Sequence, residues 1–398
     1  MRIALFCGII VCTARCLSQT TDTDHKTDTL DVTDVLKKVF TRNSYVKSTI
    51  PNNGQKRIFL SVLPDVEYSL ATGVTAGGKM NISFFSNKSP NANLSTITAT
   101  AMYSQYNQFS AFVISNIWGK KSDLDFQGDW RFNIFPTYTY GLGGYTLASD
   151  KDLVDYSSIR IYQTVLKPIY KDWHFGLGYN LDYYWNITDG SPAGKLLSSV
   201  TDYHVTPQSV ASGISANLLY DTRRNPNNPK NGSYASVVYR PNFTFLGSDE
   251  NWQSLLIDLR KYVQLPFWPN NVLAFWTYNY FTLKGDPPYF NLPNSGSDTY
   301  NNLGRGYALG RYRSKNLVSA ETEYRFGLTR NKLLGGVVFA NVQSVSEWPS
   351  NKFEKLLPGY GCGLRIKINK DSDTNLAVDY GWGIDGSRGF FFNLGEVF

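Results

Sequence analysis

The sequence predicts an all-β protein, a sixteen-stranded antiparallel transmembrane β-barrel, on three observations. Charged residues make up 18% and aromatic residues 15% of the 398 residues, and the mean hydropathy is −0.29. After the N-terminal stretch, no segment approaches the roughly 18 continuous apolar residues that a spanning helix requires. Side chains instead alternate between apolar and polar from about Arg57 onward, and the pattern continues into the aromatic segment 389–398. A closed barrel accommodates such a strand because closure pairs it with the first strand.

The N-terminus has the pattern of a secretory signal peptide. A short basic start is followed by an apolar core over 3–11, which predicts a signal peptide over 1–18. The alternative is a lipoprotein signal acting through Cys16, but Arg15 directly before this cysteine makes a poor lipobox. Removal of the signal leaves Cys362 alone, so no intrachain disulfide is expected.

Residues 19–56 are predicted to form a short periplasmic segment. Its first part, 19–34, is rich in Thr and Asp and is typical of disorder, whereas 31–40 favours one short helix. A segment of about 38 residues is too short for an independent domain of ordinary size. The barrel is therefore expected to span 57–398.

Two segments show the alternation clearly. In 174–185, an apolar and aromatic face lies opposite Asp182. In 318–326, a similar face lies opposite Glu321 and Glu323. An apolar face opposite charge, repeated along the chain, is typical of a lipid-facing exterior around a polar interior.

Turn signals divide the barrel segment into sixteen strand-length runs. The predicted spans are 57–64, 72–86, 93–106, 108–119, 123–136, 154–168, 172–188, 208–225, 230–246, 250–266, 270–285, 313–329, 333–346, 357–370, 373–384 and 389–398. An even count places both ends in the periplasm. Short connections such as 171–172 are expected to be periplasmic turns, and 137–153, 189–207 and 286–312 extracellular loops. These features predict a location in the bacterial outer membrane.

The loop 286–312 contains the longest motif of the chain. It reads Leu303-Gly304-Arg305-Gly306-Tyr307 and continues as Leu309-Gly310-Arg311-Tyr312-Arg313. Here the chain resembles the outer-membrane assembly-factor family, the BamA/TamA-type bacterial surface antigens. In that family an arginine-glycine-aromatic motif lies at the tip of the sixth outer loop, which folds back into the barrel. The resemblance implies an inward-folded sixth loop here, with Arg305, Gly306 and Tyr307 as its motif.

Three further segments carry the resemblance. The first resembles the family's strand-turn-strand signature, with the motif residues Asp221, Arg223, Asn225, Pro226 and Gly232. The segment 321–326 resembles the family's twelfth strand, and 392–398 resembles its last strand, which the assembly machinery recognises. The order and spacing of these segments extend the resemblance over roughly residues 57–398.

An arginine in the lumen needs carboxylates, because an unpaired charge away from bulk water is costly. Glu321 and Glu323 point inward by parity, and a planar guanidinium fits carboxylates better than a lysine would. Gly306 lets the backbone approach the wall. Inward-pointing glycines on later strands leave space for the loop, namely Gly359, Gly361, Gly363, Gly381 and Gly383. The alternative is that Arg305 only plugs and stiffens the barrel.

The chain departs from the family pattern in two places. Where the family carries an aromatic-x-aspartate on its thirteenth strand, this chain has Phe339-Ala340-Asn341. Asn341 is expected to accept a hydrogen bond from Arg305 without supplying a charge. The family also presents periplasmic substrate-binding domains before its barrel, and 19–56 is too short to hold one.

The residue types give little support for an enzyme. Only His204 among the three histidines lies near serines and an aspartate, a set that any polar loop supplies, so a lipase or protease is a minor alternative. No His/Cys pair has ligand spacing, so we predict no catalytic residue, metal or cofactor. The formal charge of +7 is scattered along the chain, which favours lumen and loop residues facing anionic lipid headgroups over nucleic-acid binding.

The resemblance implies insertion or translocation of outer-membrane polypeptides. The alternatives are a passive pore or structural barrel that has lost this activity, and an accessory barrel whose N-terminal arm docks to another envelope protein. Expected partners are outer-membrane lipids including lipopolysaccharide, and outer-membrane protein substrates or envelope assembly proteins. No nucleic-acid partner is expected.

The seam between the first and last strands is predicted to be the weakest in the barrel, the place where the family is thought to open sideways. The first strand, 57–64, is short and carries Pro64, which cannot donate a ladder hydrogen bond. Phe392 and Phe398, which fall on one face of the last strand, are the predicted seam residues on that side.

Overall fold

The computed structural model describes part of the chain. The described residues are 29–32, 34, 58–69, 72–86, 94–121, 123–190, 200, 203, 205–266, 271–370 and 372–398. The predicted signal peptide, 1–18, lies outside them. Of the predicted helix 31–40, Val32 and Asp34 are described as helical, and the part beyond them lies outside the described residues.

Seventeen strand segments form one antiparallel sheet. They are β1 (Ile58–Ser69), β2 (Gly73–Phe85), β3 (Leu94–Ser104), β4 (Phe109–Trp118), β5 (Asp125–Ile134), β6 (Thr137–Thr139), β7 (Asp152–Tyr170), β8 (Trp173–Asp189), β9 (Ser209–Asp221), β10 (Gly232–Asn242), β11 (Trp252–Gln264), β12 (Val272–Lys284), β13 (Asn316–Gly327), β14 (Leu334–Val345), β15 (Leu357–Asn369), β16 (Thr374–Gly383) and β17 (Arg388–Leu394). The short β6 continues β5, because both pair with β7 in one register, with Ile134 opposite Ser157 and Thr137 opposite Val154. The predicted count of sixteen spanning strands is therefore confirmed.

Each spanning strand pairs with its neighbour in sequence, and side chains alternate between lipid and lumen. On β8, Leu177 is 62% exposed, whereas Asp182 on the opposite face is 1% exposed. Short 3-10 segments occur at Ala148–Asp150, Thr244–Leu246 and Tyr289–Asn291. Within the described residues, no helix is both long and apolar enough to cross a bilayer.

The first and last strands lie beside each other without a ladder. Cα atoms of β1 and β17 approach within 8 Å, but no backbone pairing joins them in the described part of the chain. The prediction that the first strand ends at Pro64 is wrong, because β1 continues to Ser69 with Pro64 opposite Gly78. Among the described strands, β1 shares a ladder with β2 alone, and such an edge strand tolerates proline.

The last strand ends earlier than predicted, and the C-terminal tail, residues 395–398, turns into the lumen. Gly395 has a φ of +98°, a conformation that glycine adopts most readily. Its N–H donates to the backbone carbonyl of Asn375 at 2.8 Å. Phe398 is consequently 3% exposed inside the barrel, so its predicted position on the last strand at the seam is wrong. Phe392 remains on β17, half-buried.

The largest buried cluster fills the lumen. It consists of Tyr262, Val272, Ala274, Trp276, Tyr278, Leu303, Tyr307, Tyr312, Leu317, Val345, Leu357, Val397 and Phe398. A second cluster lies among the extracellular loops and consists of Leu142, Val200, Tyr203, Tyr289 and Leu292. The loop between β12 and β13 contributes to both clusters, so it links the extracellular end to the interior.

The described N-terminal residues contact the periplasmic end of the barrel. The N–H of Leu30 donates to the carbonyl of Asn331 in the β13–β14 turn at 3.0 Å. The Lys370 ammonium, in the β15–β16 turn, lies 2.8 Å from Asp34. Leu30 and Asp34 therefore lie against neighbouring periplasmic turns.

Candidate functional site

The connection between β12 and β13, residues 285–315, crosses the lumen, and we call it the inward loop. Near its start, Asn291 Nδ2 donates to Asp182 Oδ2 on β8 at 2.9 Å. Further along, the carbonyl of Thr299 accepts from Arg131 Nη2 on β5 at 3.1 Å. The loop therefore contacts widely separated strands of the barrel.

Arg305 of the inward loop is fully buried and pairs with three carboxylates. Its Nη2 contacts Glu321 and Glu323 on β13, and its Nη1 lies 2.5 Å from Asp379 Oδ2 on β16. The guanidinium carbon lies 3.7 Å from the centroid of the Phe339 ring. This arrangement uses the planar donors of arginine for carboxylates and its face for an aromatic ring, which a lysine does not reproduce.

The backbone at Arg305 and Gly306 rests directly on the barrel wall. Gly306 has a φ of +110°, and a Cβ there would lie 2.8 Å from the Trp382 carbonyl oxygen. A Cβ at Gly381 would lie 2.7 Å from the Gly306 nitrogen, and one at Gly359 would lie 2.8 Å from the Arg305 oxygen. Glycine is needed at these positions because two backbones meet there.

Further polar contacts of the motif involve backbone groups. Asn341 Nδ2 donates to the Arg305 carbonyl at 2.9 Å, so the expectation that Asn341 accepts from the guanidinium is wrong. Carboxylates already occupy both terminal guanidinium nitrogens, and the amide therefore binds the loop backbone. The Tyr307 hydroxyl donates to the Pro358 carbonyl at 2.6 Å and accepts from the Ile384 N–H at 3.1 Å.

The C-terminal tail packs beside the inward loop. The Phe398 ring stacks on Trp276 with centroids 5.0 Å apart, and the Phe398 carbonyl accepts from Arg325 Nη2 at 3.0 Å. Asn302 of the inward loop donates to the Val397 carbonyl at 3.2 Å. The loop and the tail are therefore in direct contact.

Six charged side chains link the inward loop and the tail in a closed ring, which we call the charge ring. In order around the ring they are Arg305, Asp379, Arg365, Glu396, Arg325 and Glu323, and the last contacts the first. Each of these side chains is at most 6% exposed. Every carboxylate of the ring contacts two arginines, so displacing either the loop or the tail leaves buried charges with one partner in place of two.

The turn between β9 and β10, residues 222–231, is ordered by the predicted motif residues. Arg223 donates to the two carboxylate oxygens of Asp221 at 2.9 and 2.8 Å. Gly232 has a φ of +108°, and a Cβ there would lie 2.8 Å from a backbone carbonyl across the turn. Pro226 is exposed. These contacts fix the shape of the turn.

The same turn reaches the β15–β16 turn and the tail. Asn225 Nδ2 donates to a backbone carbonyl of the β15–β16 turn at 3.0 Å, and Lys230 Nζ lies 2.8 Å from Asp373 Oδ2. The Asn227 carbonyl accepts from the backbone N–H of Glu396 at 2.8 Å. The strand-turn motif therefore holds the C-terminal tail from the periplasmic side.

Asp182 is the centre of a second buried network, on a different part of the wall. Its carboxylate accepts from the Tyr162 hydroxyl at 2.7 Å, and from Arg160 and Arg240 at 2.9 Å each. Asn291 of the inward loop completes this set. This network holds the inward loop at a place separate from Arg305, and it uses no residue of the predicted motif.

Sequence reasoning missed Asp379 and Glu396 as members of the site. The signal for Asp379 was its inward parity on the strand that also carries Gly381 and Gly383, the glycines that make room for the loop. The signal for Glu396 was its parity, which aligns this acidic residue with lipid-facing aromatic residues. An unpaired carboxylate facing lipid is costly. A turn at Gly395 resolves that conflict by directing Glu396 into the lumen.

The site consists of ion pairs and packing contacts. Among the described residues, no group of three or more His, Cys, Asp or Glu side chains is arranged to hold a metal ion. What the arrangement can do is hold or release a loop and a tail, because both are joined to the wall by noncovalent contacts.

Comparisons with known proteins agree with this architecture. The Omp85 superfamily domain matches residues 90–398. The fold is similar to BamA from Haemophilus ducreyi lacking POTRA domains 1-3, with 15% identity and a TM-score of 0.55 over 84% of this chain and 68% of that chain.

Two CdiB structures are similar as well. For CdiB from Acinetobacter baumannii the identity is 13% and the TM-score 0.56, over 86% of this chain and 60% of that chain. For CdiB from Escherichia coli the identity is 8% and the TM-score 0.59, over 86% of this chain and 63% of that chain. The chain therefore spans less than two thirds of either CdiB chain. A search of curated proteins finds no match.

Proposed function

Because this chain belongs to the Omp85 superfamily, we propose that it inserts outer-membrane polypeptides, or translocates them, through the seam between β1 and β17. The chain is a bacterial outer-membrane β-barrel with the fold of BamA and CdiB. The proposed activity uses strand pairing and local disturbance of the bilayer, so it requires neither a catalytic residue nor a cofactor.

The missing ladder between β1 and β17 is the observation that carries this proposal. All other neighbouring spanning strands of the described sheet share a ladder, and β17 is only 7 residues long. An unpaired strand edge presents N–H and C=O groups that another extended segment can pair. In the bilayer core such groups must find partners, which makes this seam suited to receive a strand.

The charge ring supplies a means of controlling the seam. The tail follows β17 directly, and its Glu396 shares arginines with carboxylates that also hold Arg305. Loss of the loop contacts therefore weakens the contacts of the tail. We infer that the inward loop and the end of β17 move together when the seam opens.

Disulfide crosslinking across the seam tests the proposal. Leu60 and Val62 on β1 and Phe390 on β17 are exposed on the lipid-facing side. Phe390→Cys is combined with Leu60→Cys or with Val62→Cys in a Cys362→Ala background. Each pair is expected to form a disulfide and to abolish assembly of substrate proteins, and reduction is expected to restore assembly. Full activity of the crosslinked protein would contradict a lateral seam.

A matched control locks two strands that share a ladder. Ala99 on β3 lies opposite Val113 on β4, so a cysteine pair there crosslinks the wall away from the seam. This variant is expected to keep its activity under oxidising conditions. Equal inactivation of both variants would show that any crosslink, and not closure of the seam, stops the protein.

Depletion separates the proposal from the alternatives. Depletion is expected to lower the amounts of other outer-membrane proteins or of a secreted polypeptide, and an unchanged census would contradict the proposal. Single-channel conductance before and after deletion of 286–312 then separates a plugged pore from an accessory barrel. A pore opens on deletion, whereas an accessory barrel stays closed.

A further inference from the structure

Exposed basic side chains lie on several periplasmic turns of the barrel. They are Lys121 in the β4–β5 turn, Lys171 in the β7–β8 turn, Arg224 in the β9–β10 turn, and Arg330 and Lys332 in the β13–β14 turn. No ion pair involves any of them within the described residues. The exposed acidic residues of the same turns are fewer, namely Asp123 and Asp172. Asp373, in the β15–β16 turn, is already paired with Lys230 and Lys367.

These basic residues lie where the lipid-facing surface ends. The Lys171 ammonium lies 5.1 Å from the centroid of Tyr170, whose side chain is 63% exposed. Arg330 and Lys332 lie between Leu328 and Leu334, two exposed apolar residues that end their strands' lipid-facing rows. Aromatic and apolar residues followed by long basic side chains are typical of the boundary between hydrocarbon and headgroups.

At the extracellular end, exposed charges of both signs occur together. Lysines there are accompanied by exposed acidic residues on three loops, Asp249, Glu250, Glu354 and Asp385. Lys355 lies 3.7 Å from Asp385, so part of the positive charge is compensated locally. The uncompensated positive charge is therefore concentrated at the periplasmic boundary.

We propose that this periplasmic boundary binds the phosphodiester headgroups of anionic phospholipids in the inner leaflet of the outer membrane. The basic residues occur on four different turns around the barrel, and not in one patch. This spacing fits many small anionic headgroups better than a single protein partner. An anionic lipid layer attracts basic residues at its surface within a Debye length, so the interaction decreases with salt.

Spin-labelled lipids test this proposal with the full-length protein in phosphatidylcholine vesicles. Electron paramagnetic resonance gives the association constant of spin-labelled phosphatidylglycerol at the barrel surface relative to spin-labelled phosphatidylcholine. The wild type is expected to prefer phosphatidylglycerol several-fold at low salt. The Lys171→Gln/Arg330→Gln/Lys332→Gln variant is expected to lose most of this preference, since one basic residue near an anionic surface changes binding by roughly fivefold.

Two matched variants sharpen the test. The extracellular variant Lys151→Gln/Lys284→Gln/Lys352→Gln removes the same charge at the other end and is expected to retain the preference. The charge-preserving variant Lys171→Arg/Arg330→Lys/Lys332→Arg is also expected to retain it, and the gel mobility of unheated samples checks that each variant is folded. Absence of a preference in the wild type, or its persistence in the periplasmic variant, overturns the proposal. Equal loss in both neutralising variants overturns it as well.

Discussion

Two walls of the lumen differ in how their polar side chains are held. The clamped wall, β13–β16, contacts the inward loop and the tail, and its Glu323 and Asp379 side chains are 0% exposed. The open wall, β2–β5, carries a pair between Arg131 and Asp129 whose side chains are 18% and 22% exposed. The strands have the same geometry on both walls. Inserted segments therefore determine which part of this barrel is rigid and which part stays accessible from the lumen.

Removing Arg305 from the inward loop is expected to give the largest loss of stability. Arg305→Ala leaves Glu321, Glu323 and Asp379 buried without the shared cation. Breaking a buried pair costs about 3–5 kcal/mol of the free energy of unfolding. Asp129→Ala on the open wall is the matched control, because among the described residues Asp129 pairs with Arg131 alone, and its expected loss is about 1 kcal/mol or less. Urea unfolding in lipid vesicles measures both, and equal losses would remove the distinction between the walls.

Truncation of the terminal aromatic side chain is expected to cause the second largest loss of stability. Phe398→Ala removes a ring that stacks on Trp276 and leaves a cavity beside the inward loop, at a cost of roughly 3 kcal/mol. Phe390→Ala is the control, because Phe390 is 47% exposed to the lipid side and lipid can fill the space. The same unfolding measurement applies. A larger loss for the control would contradict the packing of the tail inside the barrel.

A methyl group added to the clamped wall tests the contact between the backbone of the inward loop and that of β16. The new Cβ in Gly381→Ala would lie 2.7 Å from the Gly306 nitrogen, which forces the loop to shift and costs about 1–3 kcal/mol. Gly78→Ala on the open wall is the control, because a Cβ there meets no atom within 4 Å. We expect limited proteolysis to cleave the loop faster in the first variant only. Equal cleavage rates would argue against the close approach.

Loss of the contact between the β9–β10 turn and the β15–β16 turn is expected to have the smallest effect on stability. Burial raises the pKa of Asp373, but hydrogen bonds from Lys230 and Lys367 outweigh it and leave the pKa below 3.8. A lowered pKa means that this stabilisation is present above pH 3.8 and is lost as the pH falls through the folded-state value. Asp373→Asn should therefore lower stability by about 1 kcal/mol or less at pH 7 and flatten its decline below pH 4. An identical decline in wild type and variant would exclude this contribution.

The sequence was sufficient for the barrel because its strands obey one simple period. Alternation along β8 distinguishes exposed Leu177 from buried Asp182, and turn residues mark where strands end. The same rule failed at the tail, where parity put Phe398 on one face with Phe390 and Phe392. Periodicity describes a strand only while it remains a strand, and Gly395 ends the pattern.

The candidate site was only partly predictable, for a physical reason. Glu321 and Glu323 follow Arg305 closely in the chain and share its inward parity, so they could be proposed as partners. Asp379 lies on β16 and Glu396 in the tail, and their meeting depends on how the loop crosses the lumen. Contacts across a lumen depend on loop geometry, which no local pattern encodes.

Hydrogen–deuterium exchange tests the central claim, that the charge ring couples the inward loop to the end of β17. We compare wild type, Arg305→Ala and Asp129→Ala in lipid vesicles. The account predicts that Arg305→Ala accelerates exchange in residues 388–397, although none of them is altered, while exchange in β2–β4 stays at the wild-type rate. Asp129→Ala should leave exchange in 388–397 unchanged. Wild-type exchange over 388–397 in the folded Arg305→Ala variant would contradict the coupling.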